Sequence, residues 1–218
     1  METFDFGDGD GPVPAHRHQN PDGSEGGWVA NTATVSKNTI VGTEARVFGN
    51  AGITGFAQIT DFAQVYGNAQ VYNDAQVSNN SRVSNNAQVF DKARVFGSAH
   101  VSGDAWVSGE AKVFDSAQVF DDTWISSKAQ VYGEAQVYNR ARVSGDARIF
   151  HSAKVFGKAQ VTDFAQVFDN AKIFGNARVS DKEIVFGDTK MFGDAKMFDD
   201  INVSGTFPDC PAPSVLGW

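Results

Sequence analysis

Ala63-Gln64-Val65-Tyr66-Gly67-Asn68 is followed without a break by Ala69-Gln70-Val71-Tyr72-Asn73-Asp74 and then Ala75-Gln76-Val77-Ser78-Asn79-Asn80. Outward from this stretch the same six-residue pattern, Ala-x-Val-[Phe/Tyr/Ser]-[Gly/Asp/Asn]-x, continues in both directions. An aliphatic residue stands at every sixth position from Val29 to Val203, thirty in all, with no insertion. The position two residues earlier is small, nearly always alanine, with Thr39, Ser81, Thr123 and Thr189 as mild variants. Glu183 and Ile201 depart from the rule.

Within each hexad the alanine and the aliphatic residue alternate with an outward residue, the period of a strand. A glycine, aspartate or asparagine then tolerates the left-handed backbone of a corner. A strand this short cannot bury its inner face alone. Coils of parallel strands, stacked, supply every amide with a partner and close a continuous apolar core. Three sides make an 18-residue coil, and ten coils at ~4.8 Å per strand make a prism on the order of 48 Å long. The expected organisation is therefore an irregular N-terminal arm or cap over residues 1–28, a β-solenoid over 29–206 and a C-terminal tail over 207–218.

An aliphatic residue every six with a small residue two earlier resembles the hexapeptide-repeat superfamily. The Ala-Arg-Val-Phe-Gly-Asn and Ala-Gln-Val-Tyr-Gly-Asn hexads at 45–50 and 63–68 are most similar to YdcK-like proteins of bacteria and to repeat proteins of phages. The resemblance implies an all-β fold, a left-handed parallel β-helix. The hand is implied by the resemblance alone, since parallel connections are in general right-handed.

Composition narrows the class of function. Leucine occurs once, at Leu216, and the apolar content is mostly alanine, valine and phenylalanine, which excludes a helical bundle. A net charge of −8 disfavours nucleic acid and anionic membrane surfaces as partners. Cys210 has no second cysteine to pair with, and no stretch approaches a membrane span. These features suit a soluble chain of the cytoplasm or of a virion.

The residue after each aliphatic, sorted by its place in the 18-residue coil, forms three stripes. The first holds Phe48, Tyr66, Ser84, Ser102, then Phe120, Tyr138, Phe156, Phe174 and Phe192. The second turns from Tyr72 and Phe90 to Ser108, Ser126, Ser144, Thr162 and Ser180. The third is Phe96, Phe114, Tyr132, Phe150, Phe168 and Phe186. Two exposed aromatic ladders on different sides suit the interface of a head-to-tail homotrimer. Rings one coil apart could equally stack on each other within one chain. Outward glutamines could hydrogen-bond along the stack, and lysine or arginine stems could lie over the rings.

Trp106 and Trp124 stand one above the other on the hydroxyl-bearing side and could form a sugar platform or a chain contact. His16 and His18 in the arm form a His-x-His pair that would hold a metal ion if three chains met on an axis. Asp8-Gly9-Asp10-Gly11 lacks the later glutamate of a calcium loop. Trp28 is expected to cover the open N-terminal end of the core.

The superfamily includes acyltransferases, which would bring a catalytic histidine, protruding loops and an intersubunit site. Here His100 falls in an outward slot and His151 in a corner, each expected to stand apart from an acid. No insertion carries a loop. The expectation is a non-catalytic structural or binding scaffold, a rigid trimer of a phage virion or tail. Its partners would be other virion or cell-surface proteins or carbohydrate. An acyltransferase-like enzyme with an intersubunit site, or a ligand-sequestering or carbohydrate-binding β-helix, are the alternatives.

Overall fold

A computed structural model describes residues 2–197, with the backbone of strands Asn202–Val203 and Thr206–Phe207 beyond them. Ile201, Cys210 and the tail over 208–218 lie outside the described residues. The chain is an all-β, left-handed parallel β-helix of triangular section. Each of the twenty-nine aliphatic positions from Val35 to Val203 ends a strand, Val29 lying one residue inside the end of its own, and the strands fall into three stacked sheets, one for each side.

Side one runs from Arg46–Val47 to Lys190–Met191, side two from Thr34–Val35 to Lys196–Met197 and side three from Ile40–Val41 to Asn202–Val203. Register is constant at one coil, as in Gln70↔Gln88 and Val71↔Val89. The final rung is an exception. Thr206–Phe207 pairs as Lys190↔Thr206, which brings it in two residues early.

The outward residue and the one after the aliphatic donate to the carbonyls of the next coil, as in Arg94 N to Ala111 O at 2.9 Å and Phe96 N to Val113 O at 3.0 Å. The alanines and aliphatics point inward, and from Ala45 to Val185 they are sealed from solvent. Threonine and serine are tolerated in the small slot because their hydroxyls donate to the carbonyl three residues back. Ser81 Oγ reaches Ser78 O at 2.7 Å and Thr123 Oγ1 reaches Phe120 O at 2.6 Å. At buried Glu183 the backbone N of Ser180 donates to Oε2 at 2.7 Å, the same three-residue loop made by a carboxylate.

From Gly49 to Gly193 the corners turn through a residue at positive φ, two after the aliphatic. Aspartate and asparagine serve there beside glycine for a second reason. Asp61, at φ 56°, accepts the backbone N–H of Asn79 one coil on at 2.9 Å, and Asp121 does the same for Asn139 at 3.1 Å. The side chain thus satisfies a corner amide that the strand ladder leaves over.

The N-terminal arm is ordered, which corrects the expectation of an irregular segment. It forms three strands, β1 (Thr3–Phe4), β2 (Val13–Gln19) and β3 (Glu25–Ala30), paired antiparallel in sequence, and β3 then pairs parallel with Arg46–Val47. The arm thereby extends side one. Gly27 fills the first small slot, where an added Cβ would collide with the Ala45 carbonyl oxygen.

Trp28 does not cover the core end. It lies outward, stacked on Phe4 at 4.6 Å with the Arg17 guanidinium 4.7 Å from its centroid. The open edge of side three is instead closed by β2 and the turn after it. Buried Asn20 accepts from Val41 N at 2.9 Å and donates to Val41 O at 3.2 Å, standing in for the missing strand.

Candidate functional site

The two ladders are filled from within the chain. On side three each of Phe96, Phe114, Tyr132, Phe150, Phe168 and Phe186 stacks on the next, with centroids 4.7–5.6 Å apart and planes within 15°. On side one Phe120, Tyr138, Phe156, Phe174 and Phe192 do the same at 4.9–5.2 Å. All are half-buried. Rings stacked along the axis spend their faces on each other and present edges to solvent, the positive part of the aromatic quadrupole. Burial holds the Tyr132 and Tyr138 hydroxyls above the usual phenol range.

Trp106 and Trp124 stack at 4.9 Å and 5°. Phe90 meets Trp106 edge-on at 6.0 Å, and the Arg142 guanidinium sits 5.3 Å from the Trp124 centroid. Trp124 thus lies between Trp106 and the Arg142 guanidinium and is still 45% exposed.

Arginine, rather than lysine, lies over rings: Arg94 is 5.5 Å from the Phe96 centroid, beside the Arg142 and Arg17 contacts. The amide ladder forms at a corner and not along the outward glutamines. Asn50 donates to Asn68 at 3.3 Å, Asn68 to Asn86 at 3.0 Å and Asn86 to Asp104 at 2.9 Å.

His16 and His18 are not brought together within the chain. A register shift between Arg17 and Gln19 breaks the strand alternation, so His16 is exposed with Nδ1 2.8 Å from Asn31 Oδ1. His18 is buried with Nε2 donating to Thr39 O at 3.2 Å, and burial lowers its pKa below the ordinary value. Among the described residues no group of three or more His, Cys, Asp or Glu side chains is gathered as for a metal ion.

His100 sits half-buried between Arg82 and Gln118, its pKa lowered by burial and by the Arg82 charge. His151 corrects the sequence expectation, because it does have an acid partner. Its Nδ1 lies 3.0 Å from Asp169 Oδ1, while Asp169 Oδ2 accepts from Gly187 N at 3.1 Å. Phe150 and Phe168 flank the imidazole edge-to-face at 4.8 and 6.1 Å. The dyad is exposed at a corner.

Other large apolar side chains point outward. Phe56, Phe62 and Phe164 are 64%, 61% and 58% exposed at corners where threonine takes the ladder position two residues before, at Thr54, Thr60 and Thr162. No helix among the described residues is long and apolar enough to cross a membrane.

This geometry defines a hexapeptide-repeat β-solenoid. The chain is similar to the YdcK β-solenoid repeat, whose family model matches residues 63–79, 87–103, 135–149 and 141–157. No curated protein sequence matches it significantly. Among solved structures it is similar to a UDP-N-acetylglucosamine acyltransferase from Arabidopsis, over 76% of this chain and 69% of that one, at 13% identity and a TM-score of 0.35. Similarity at that level implies no activity.

Proposed function

We propose that this chain is a rigid, non-catalytic scaffold that works with its sides open to solvent. The observation that supports this most is the use of the aromatic ladders within the chain, ring on ring over six coils of side three. A ladder satisfied by its own neighbours needs no partner to be stable. The homotrimer expected from the two ladders is therefore left out of the proposal. So is a virion setting, because any assembly that needs a stiff spacer would serve. The apolar core runs unbroken from coil to coil along the axis, which resists bending.

A second reading is favoured by one observation, the His151–Asp169 contact at 3.0 Å. A carboxylate on Nδ1 leaves Nε2 outward as a general base, and a neighbouring copy packed on that corner would complete an acyltransferase-like cleft. The test is turnover with a panel of acyl thioester donors and amine or sugar acceptors, comparing wild type with His151→Ala. The scaffold predicts no turnover that depends on His151. Acyl transfer lost in His151→Ala would overturn it in favour of the enzyme.

A further inference from the structure

Lys154, Lys172 and Lys190 occupy the same outward slot in three successive coils of side one and pair directly in register, Lys154↔Lys172 and Lys172↔Lys190. Like charges directly opposite on neighbouring strands repel. Elsewhere on this side neutral residues separate the cations, Gln64 between Arg46 and Arg82, and Gln118 and Gln136 between His100 and Lys154. None of the three lysines takes part in an ion pair among the described residues. The acids bordering them have other partners: Asp188 Oδ1 accepts from Asn170 at 3.0 Å, Asp194 Oδ1 from Asn176 at 2.8 Å, and Asp169 is held by His151 and Gly187.

The surroundings repeat with the lysines. Lys154-Val155-Phe156-Gly157, Lys172-Ile173-Phe174-Gly175 and Lys190-Met191-Phe192-Gly193 lie one above another, so that a column of lysines runs beside a column of ring edges and a glycine at each corner, followed by Lys158, Asn176 and Asp194. Phe156, Phe174 and Phe192 stack at 4.9 and 5.2 Å, which sets the repeat of the whole strip. Ammonium groups and ring edges both attract anionic oxygen.

We propose that this strip binds an acidic polysaccharide, a carboxylated or sulfated glycan lying along the solenoid axis, its local cationic column acting at short range against the chain's net charge of −8. A charge repeated at every rung, about 4.8 Å, suits a polymer with regularly spaced anions more than a single compact one. Nucleic acid is disfavoured because single-strand binding relies on ring faces for its bases, and these faces are stacked on each other. A membrane surface is disfavoured because, among the described residues, no exposed large apolar side chain lies beside the lysines to insert. Phe164 is on the corner between sides two and three, and Phe62 is on the first turns of the solenoid. The inference goes beyond the scaffold reading and requires only that side one be open over these coils. A copy packed there would desolvate three aligned charges.

The test is titration of the protein with polygalacturonate and, separately, heparin, at low salt and at about 1 M salt, where screening shortens to ~3 Å. Wild type is expected to bind at least one of the two, the stronger naming carboxylate or sulfate, and to lose it at high salt. The Lys154→Gln/Lys172→Gln/Lys190→Gln variant is expected to bind about tenfold or more weakly, while the Arg triple at the same positions retains binding. Circular dichroism melts establish that both variants are folded. The proposal is overturned if neither glycan binds, or if Lys92→Gln/Lys112→Gln/Lys128→Gln weakens binding as much. It is also overturned if a single-stranded oligonucleotide of equal charge competes as well as the glycans.

Discussion

Phe114→Ser separates a self-stacked ladder from a surface decoration. Phe114 is half-buried between Phe96 and Tyr132, each 4.8 Å away and within 6° of parallel. Two stacked pairs at about 0.5–1.5 kcal/mol each give ~1–3 kcal/mol. Loss of the apolar area of a half-buried phenylalanine adds about 1 kcal/mol, for a total of roughly 2–4 kcal/mol. Phe56, 64% exposed and in no ring contact of the described residues, is the internal control: Phe56→Ser should fall within about 0.5 kcal/mol of zero. Urea denaturation followed by circular dichroism reads both, with hydrogen exchange locating the loss to coils around residue 114. Equal effects of Phe114→Ser and Phe56→Ser would refute the claim that the rings stabilise one another within the chain.

Removing the side chain of Asn20 should open the N-terminal end. Asn20→Ala takes both bonds from Val41, a loss of about 1–3 kcal/mol local to that edge, read as faster hydrogen exchange at Val41 with coils beyond residue 60 unchanged. Acid should act in the same place. His18 has a folded pKa below its unfolded value, so the unfolded state takes up the proton first. Stability is then full above the ordinary histidine range and falls as pH drops through it toward the folded value. His18→Gln should flatten that dependence for the arm, leaving the contribution of His100, whose pKa is also lowered. Relieving the lysine column should raise stability, since Lys172→Gln removes two like-charge neighbours worth roughly 0.2–1 kcal/mol each. A lowered melting temperature would contradict the repulsion inferred there.

The core was legible because its period is strict. Alanine two residues before Val65, Val71 and Val77 is enough to place both inside, and the 18-residue coil follows from three equal sides. The same register makes any residue the neighbour of the one 18 later, a rule that finds His151 beside Asp169 and Asn50 beneath Asn68 without a structure. His151 has no acid beside it along the chain, its acid being the one 18 residues away in the stack. In the arm, Asn20-Pro21-Asp22-Gly23 is a turn signal between two extended stretches, and a hairpin could be read there. The fate of His16 and His18 could not be read. Their separation depends on a register shift after Arg17, set by where β2 must lie against Val41 and Thr39 and not by any local residue pattern. Whether a ring column is covered by itself or by a partner is likewise a matter of ring orientation, which the hexad leaves open.

The most direct test of the open-sided solenoid is light scattering combined with small-angle X-ray scattering on the wild-type chain. A particle of one chain's mass, 23.4 kDa, with the profile of a short rod on the order of 48 Å or longer is the predicted result. A particle of three times that mass would contradict it, because the aromatic sides would then be interfaces and a cleft between copies at His151 would have to be considered in their place.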